Sequence, residues 1–159
     1  MSTNRQKSFL ATLSFGNKPI GLISHPGNSV PVLSQKLTGE ADVFYFRCAD
    51  DAYTLYIRSK GDYFGKAIGR SGKFFTCGAS HDSETLKIVN KEGTTLTLDE
   101  LNSDNEKVYL RTRSDERVNA EFIFLEGGAR LLANGQVNIT LDLNIMERNT
   151  PYLSDPDEI

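Results

Sequence analysis

The stretch Leu55-Tyr56-Ile57-Arg58-Ser59-Lys60-Gly61-Asp62-Tyr63-Phe64-Gly65 decides how this chain is read. Its first residues continue Tyr53-Thr54 in a period-two run of aromatic and β-branched side chains, the pattern of a strand with one buried face. Lys60-Gly61-Asp62 then supplies a turn, and Phe64-Gly65 opens a second strand. The stretch therefore reads as a hairpin.

The same signature recurs along the chain. Val43-Phe44-Tyr45-Phe46-Arg47, Leu86-Lys87-Ile88-Val89, Thr95-Leu96-Thr97-Leu98, Val108-Tyr109-Leu110-Arg111 and Ile139-Thr140-Leu141-Asp142-Leu143 all alternate. Turn formers separate them at Gly16-Asn17, Pro26-Gly27-Asn28, Glu92-Gly93, Gly127-Gly128 and Asn134-Gly135. Short strands at regular intervals, punctuated by Gly and Asn, indicate an all-β sandwich or barrel. The segment from Leu98 to Lys107 is the best case for helix, and its weak periodicity allows one turn at most.

Laid over one another, the strands repeat three times. The units span about 9–49, 53–104 and 107–147, between an N-terminal extension at 1–8 and a tail at 148–159. Their opening hairpins turn at Gly16-Asn17-Lys18, Lys60-Gly61-Asp62 and Ser114-Asp115-Glu116, leading into Ile20-Gly21, Phe64-Gly65 and Val118-Asn119. The third strands are Val30–Leu33, Phe74–Cys77 and Ala129–Leu132; Val43–Arg47, Leu86–Val89 and Ile139–Leu143 close the units. Thr94–Leu98 offers a second choice of closing strand in the middle unit. Three units of hairpin, strand and strand make the β-trefoil plan, in which six strands close a barrel and three hairpins cap it. A two-sheet β-sandwich produces similar strand spacing and is the alternative. The phrase at 55–65 resembles the fascin-like variety of trefoil repeat, echoed by Val-Tyr-Leu-Arg-Thr-Arg-Ser-Asp at 108–115. This resemblance runs from about Phe9 to Glu147. The Gln-x-Trp phrase of ricin-type trefoil lectins is missing, since the chain has no Trp.

Composition limits the function. Hydrophobic residues are 38% and charged residues 25% of 159, ordinary values for one globular domain with a real core. A net charge of −3, with no Lys/Arg cluster along the sequence, argues against nucleic acid as a partner. Cys48 and Cys77 end apolar runs and read as buried free thiols, a single bridge between them being the alternative. No signal-peptide or membrane-spanning stretch is found, so a cytoplasmic location is expected. Asn138-Ile139-Thr140 matches a glycosylation sequon inside an expected strand.

Catalytic chemistry finds little support. Only His25 and His81 are available as near-neutral bases. Cys77 with His81 and Asp82 suggests a nucleophile pair but lacks a recognisable acid or oxyanion donor. His81-Asp82 with Glu84 is too compact for a zinc site, and the acids from Asp99 to Glu106 lack calcium-loop spacing. Gly69-Arg70-Ser71-Gly72-Lys73 misses the phosphate-loop pattern, because Ala67 and Phe74 stand where Gly and Ser/Thr are required; it reads as a loop between strands. The expectation is a non-enzyme with no cofactor.

Binding is the reading that remains. A closed β scaffold leaves its loops free for recognition. The middle unit gathers Arg58, Lys60, Asp62, Tyr63, Lys66 and Arg70 on or beside its hairpin. Aromatic rings stack on the apolar faces of sugars while flanking polar groups bond the hydroxyls. Asp62 and Tyr63 are therefore the first candidates for a carbohydrate contact, with Lys60 and Arg70 beside them. Asn17 and Asp115 occupy the corresponding turns of the outer units. The trefoil resemblance implies a lectin-like module; a protein-binding trefoil, either an actin-binding module or a protease inhibitor, is the alternative.

Overall fold

A computed structural model describes residues 2–24, 30–77, 83–122 and 128–150. Strands make up 55% of the structure, and there is no α-helix among the described residues. After a single 3-10 turn at Arg5–Lys7 come β1 (Phe9–Phe15), β2 (Lys18–Ile23), β3 (Val32–Gln35) and β4 (Phe44–Ala49). Next are β5 (Ala52–Ile57), β6 (Ile68–Ser71), β7 (Phe74–Cys77), β8 (Thr85–Val89) and the two-residue β9 (Thr95–Leu96). The chain ends through β10 (Asn105–Thr112), β11 (Val118–Phe122), β12 (Ala129–Ala133) and β13 (Leu141–Arg148).

Pairing closes a ring. β1 pairs with β4 and β13, β4 with β5, β5 with β8, β8 with β10, and β10 with β13, all antiparallel. These strands form a closed six-stranded barrel, with the others outside it. A closed ring leaves its members no free edge, which an open two-sheet sandwich does not achieve. The outer strands form hairpins β2–β3, β6–β7 and β11–β12. Those hairpins contact one another through β3–β7, β3–β12 and β7–β12 pairs.

The alternation that marked the strands in sequence is their burial. Along β1, Phe9, Ala11, Leu13 and Phe15 face inward and the residues between them do not. The barrel interior is filled by Leu13, Phe44, Leu55, Leu86, Ile88, Leu110 and Leu141 among others. Phe9 stacks on Phe46 at 4.7 Å, and Tyr53 meets both rings edge-on at 5.3 and 6.0 Å. Cys48 and Cys77 are buried free thiols.

Three expectations change. The second strand of the middle unit is Ile68–Ser71, not Phe64-Gly65. Residues 58–66 instead fold as a compact loop. Its closure is fixed by Gly65 N donating to Ile57 O at 2.7 Å and Ile57 N to Lys66 O at 2.9 Å. Ile68, fully buried, takes the strand position that exposed Phe64 cannot. The unit's closing strand is β8, as expected from Leu86–Val89, and β9 only pairs beside it. The sequon lies ahead of β13 rather than within it: Asn138 is exposed, and Leu141 begins the strand. The Gly69–Lys73 segment is the β6–β7 hairpin, with Gly72-Lys73 as its two-residue turn.

Candidate functional site

The loop at 58–66 places its side chains by its own hydrogen bonds. Phe64 N donates to Gly61 O at 3.2 Å and Lys66 N to Tyr63 O at 3.0 Å, so the segment doubles back twice within a few residues. Tyr63 packs partly against the core cluster, while Lys60 and Asp62 are exposed. Lys66 Nζ stands 5.7 Å from the Tyr63 ring centroid, a cation–π arrangement. Phe64, which ended the hairpin phrase in the sequence, is 50% exposed at the loop tip. An apolar ring held in solvent by a hydrogen-bonded loop is a surface available for stacking.

Lys60, Asp62 and Tyr63 line one cleft of 120 Å³, together with Ser59, Leu22 and Asp42. Asp42 was not singled out in the sequence, because nothing about its local pattern marks it. Its carboxylate accepts from Leu22 N at 2.7 Å and lies 3.5 Å from Lys36 Nζ. Gly21 makes this approach possible: a Cβ there would lie 2.6 Å from Asp42 Oδ2 and 2.5 Å from Lys36 Cε. Leu22 also lines a second cavity of 390 Å³ with Gln35, Lys36, Leu37 and Gly128. The two concavities thus share a wall.

The remaining candidates lie elsewhere. Arg70, on β6, is 2.7 Å from Glu116 and 3.9 Å from Glu84, so it ties the middle unit to the third. The Arg70 hydrogen bond holds the Glu116 carboxyl below the usual range; burial pushes Glu84 above it despite the nearby guanidinium. Asn17 and Asp115 have φ of 63° and 68°. Their short polar side chains tolerate this left-handed conformation, which gives both a turn-forming role. None of these three lines the Tyr63 cleft.

No protein-family model, curated protein or solved structure matches this chain.

His25, His81 and Asp82 lie outside the described residues, as do Tyr152 and Leu153 of the tail. Burial pushes the Cys77 thiol up to about 11, which disfavours the thiolate that a nucleophile requires. Among the described residues no three His, Cys, Asp or Glu side chains group as metal ligands. No helix is long and apolar enough to cross a membrane among them either. What the Tyr63 cleft offers is a ring beside carboxylate, hydroxyl and ammonium groups, suited to reversible polar and stacking contacts.

Proposed function

We propose that this chain is a β-trefoil binding module that takes a carbohydrate at the Tyr63 cleft. The trefoil reading is supported by the order of elements: β1–β4, β5–β8 and β10–β13 each give their outer strands to the barrel and their middle two to a hairpin. One observation carries the ligand class. Lys60, Asp62 and Tyr63 converge on one cleft with Asp42 and Ser59, and Phe64, next in the chain, is exposed. Hydroxyl-rich ligands need that mixture: an aromatic face for the C–H surface, and donors and acceptors at the rim.

Glycan-array binding tests the proposal. The wild type is expected to retain at least one glycan, and Phe64→Ala and Asp62→Ala to lose it. Phe64 is exposed enough that its truncation should change stability by no more than about 0.5 kcal/mol, so the loss would be one of contact. Silence of the wild type across the array would remove the carbohydrate reading.

The protein-binding alternative has a feature of its own in its favour. Leu37, 52% exposed, borders the larger cavity next door. Cosedimentation with actin filaments, or inhibition across a protease panel, abolished by Leu37→Asp, would favour that partner class instead.

A further inference from the structure

A different face of the barrel concentrates positive charge that the sequence scatters. Antiparallel pairing sets Arg111 on β10 directly opposite Lys87 on β8, and an isolated bridge sets it opposite Arg117. Leu110 and Thr112 point into the core, so Tyr109 and Arg111 belong to the outer face. The turn after β8 brings in Lys91. Asn90 Oδ1 fixes that turn by accepting from Glu92 N at 3.0 Å and Thr94 N at 2.9 Å.

The result is a cavity of 130 Å³ lined by Asn90, Lys91, Gly93, Tyr109, Arg111 and Arg117. Its charge is poorly compensated. Asp115 sits 3.2 Å from Arg111 Nη1, but among the described residues no carboxylate lies within ion-pair distance of Lys91 or Arg117. Arg111 Nε is buried and has no hydrogen-bond partner. Arg117 lays its guanidinium over the Tyr109 ring, 5.0 Å from the centroid, in a cation–π contact. Like charges held opposite one another across strands repel, and a buried donor without an acceptor is an unmade hydrogen bond. An anion bound in the cavity would offset the charge repulsion. The cavity is also much smaller than the roughly 300–1,000 Å³ of sites that enclose a drug-sized ligand, so it fits a single small group.

We infer that this cavity binds a tetrahedral oxyanion, a phosphate or sulfate group, through Lys91, Arg111 and Arg117. The guanidinium forks supply the paired donors that such oxygens accept, and the lysine adds a point charge. The site is separate from the Tyr63 cleft and does not depend on the carbohydrate reading.

Isothermal titration calorimetry tests it, with ionic strength held constant by chloride. Inorganic phosphate and sulfate probe the free ion; hexose phosphate and sulfate esters probe the group carried on a larger ligand. At least one of these is expected to bind saturably at millimolar concentration or below. Lys91→Ala and Arg117→Ala should each weaken it about tenfold, the scale of one charge-assisted hydrogen bond. Arg111→Lys, which keeps the charge but removes the guanidinium fork, should weaken it as well, whereas Phe64→Ala should not. Thermal unfolding in chloride confirms that each variant is folded, and exposed Lys91 gives the variant least able to disturb the barrel. Absence of saturable binding by every probe, or binding undiminished in Lys91→Ala and Arg117→Ala, would overturn the assignment.

Discussion

Gln35 shows how much one buried amide can hold. Its Nε2 donates to Phe15 O at 2.9 Å, and its Oε1 accepts from Ala129 N at 3.2 Å, so a single side chain links the first and third units. It is 5% exposed. Gln35→Leu would fill similar space but remove both hydrogen bonds to the backbone, at about 1–3 kcal/mol for each. We expect urea unfolding to show a loss of about 2–6 kcal/mol by that reckoning; a loss below about 0.5 kcal/mol would mean water takes the place of the amide. At the same scale, Asn17, Asp115, Asn134 and the pair Asp50-Asp51 all have positive φ, between 52° and 68°. Polar residues that look like binding candidates in a sequence are, at these places, answers to a backbone demand. Asn17 and Asp115, binding candidates by sequence, both stand at such positions.

Arg70 belongs to the scale of elements, because it holds β6 against the turn between β10 and β11. Glu116 also accepts from Thr112 Oγ1 at 3.2 Å, and its other oxygen is 3.4 Å from Asn134 Nδ2. Since Glu116 titrates lower in the folded protein than in the unfolded chain, its contribution is full above the unfolded value and disappears as pH falls through the folded one. Glu84, shifted upward by burial, has the opposite sign: its folded form is favoured as pH falls. Arg70→Gln removes the cation that serves both carboxylates. The variant should therefore be less stable than the wild type at pH 7, and the gap should narrow as pH drops below about 4, where the carboxylates take up protons. A gap that stays constant between those values in pH-dependent urea titrations would assign Arg70 a packing role alone. The loop at 58–66 is the element whose sequence signal misled. Phe64-Gly65 has strand composition, but hydrogen bonds from Gly65 and Ile57 close the loop before a strand begins. Which of two apolar residues takes the strand was settled by burial of Ile68, a tertiary fact.

Across the whole molecule, the two ends of the described chain are fastened to the barrel and to each other. β1 and β13 pair along most of their length, with a register shift between Leu10 and Ala11. Ser8 O accepts from Thr150 N at 3.0 Å, and Tyr45 donates its hydroxyl to Thr150 O at 2.8 Å. Ser8 Oγ accepts from Cys48 N at 2.9 Å and donates to Asn4 O at 3.0 Å, while Tyr53 donates to Lys7 O at 2.8 Å and accepts from Leu98 N at 3.0 Å. Residues 4–8 thus act as a clamp over β4 and β5. Deleting residues 2–7 should lower stability by about 1–3 kcal/mol through the lost acceptors, with one cooperative urea transition retained because the barrel pairs remain. An unchanged midpoint would show that the clamp rests on the barrel without strengthening it.

The sequence alone determined the all-β class, because alternation of apolar and polar residues is the burial pattern of a strand and survives any rearrangement of neighbours. It also determined most strands to within a few residues, since Gly and Asn at the turns satisfy local dihedral demands. It brought Lys60, Asp62 and Tyr63 together for the same reason: they share one short loop. Only the tertiary structure decided that Asp42 faces that loop, that Arg70 does not serve it, and that Lys91, Arg111 and Arg117 gather in one cavity. The sequence shows no Lys/Arg cluster, yet strand register and a turn assemble one from separate segments. Dihedral preference and alternation act between near neighbours in the chain, whereas cleft walls and charge clusters depend on which strands pair, and pairing is set by burial summed over the whole barrel.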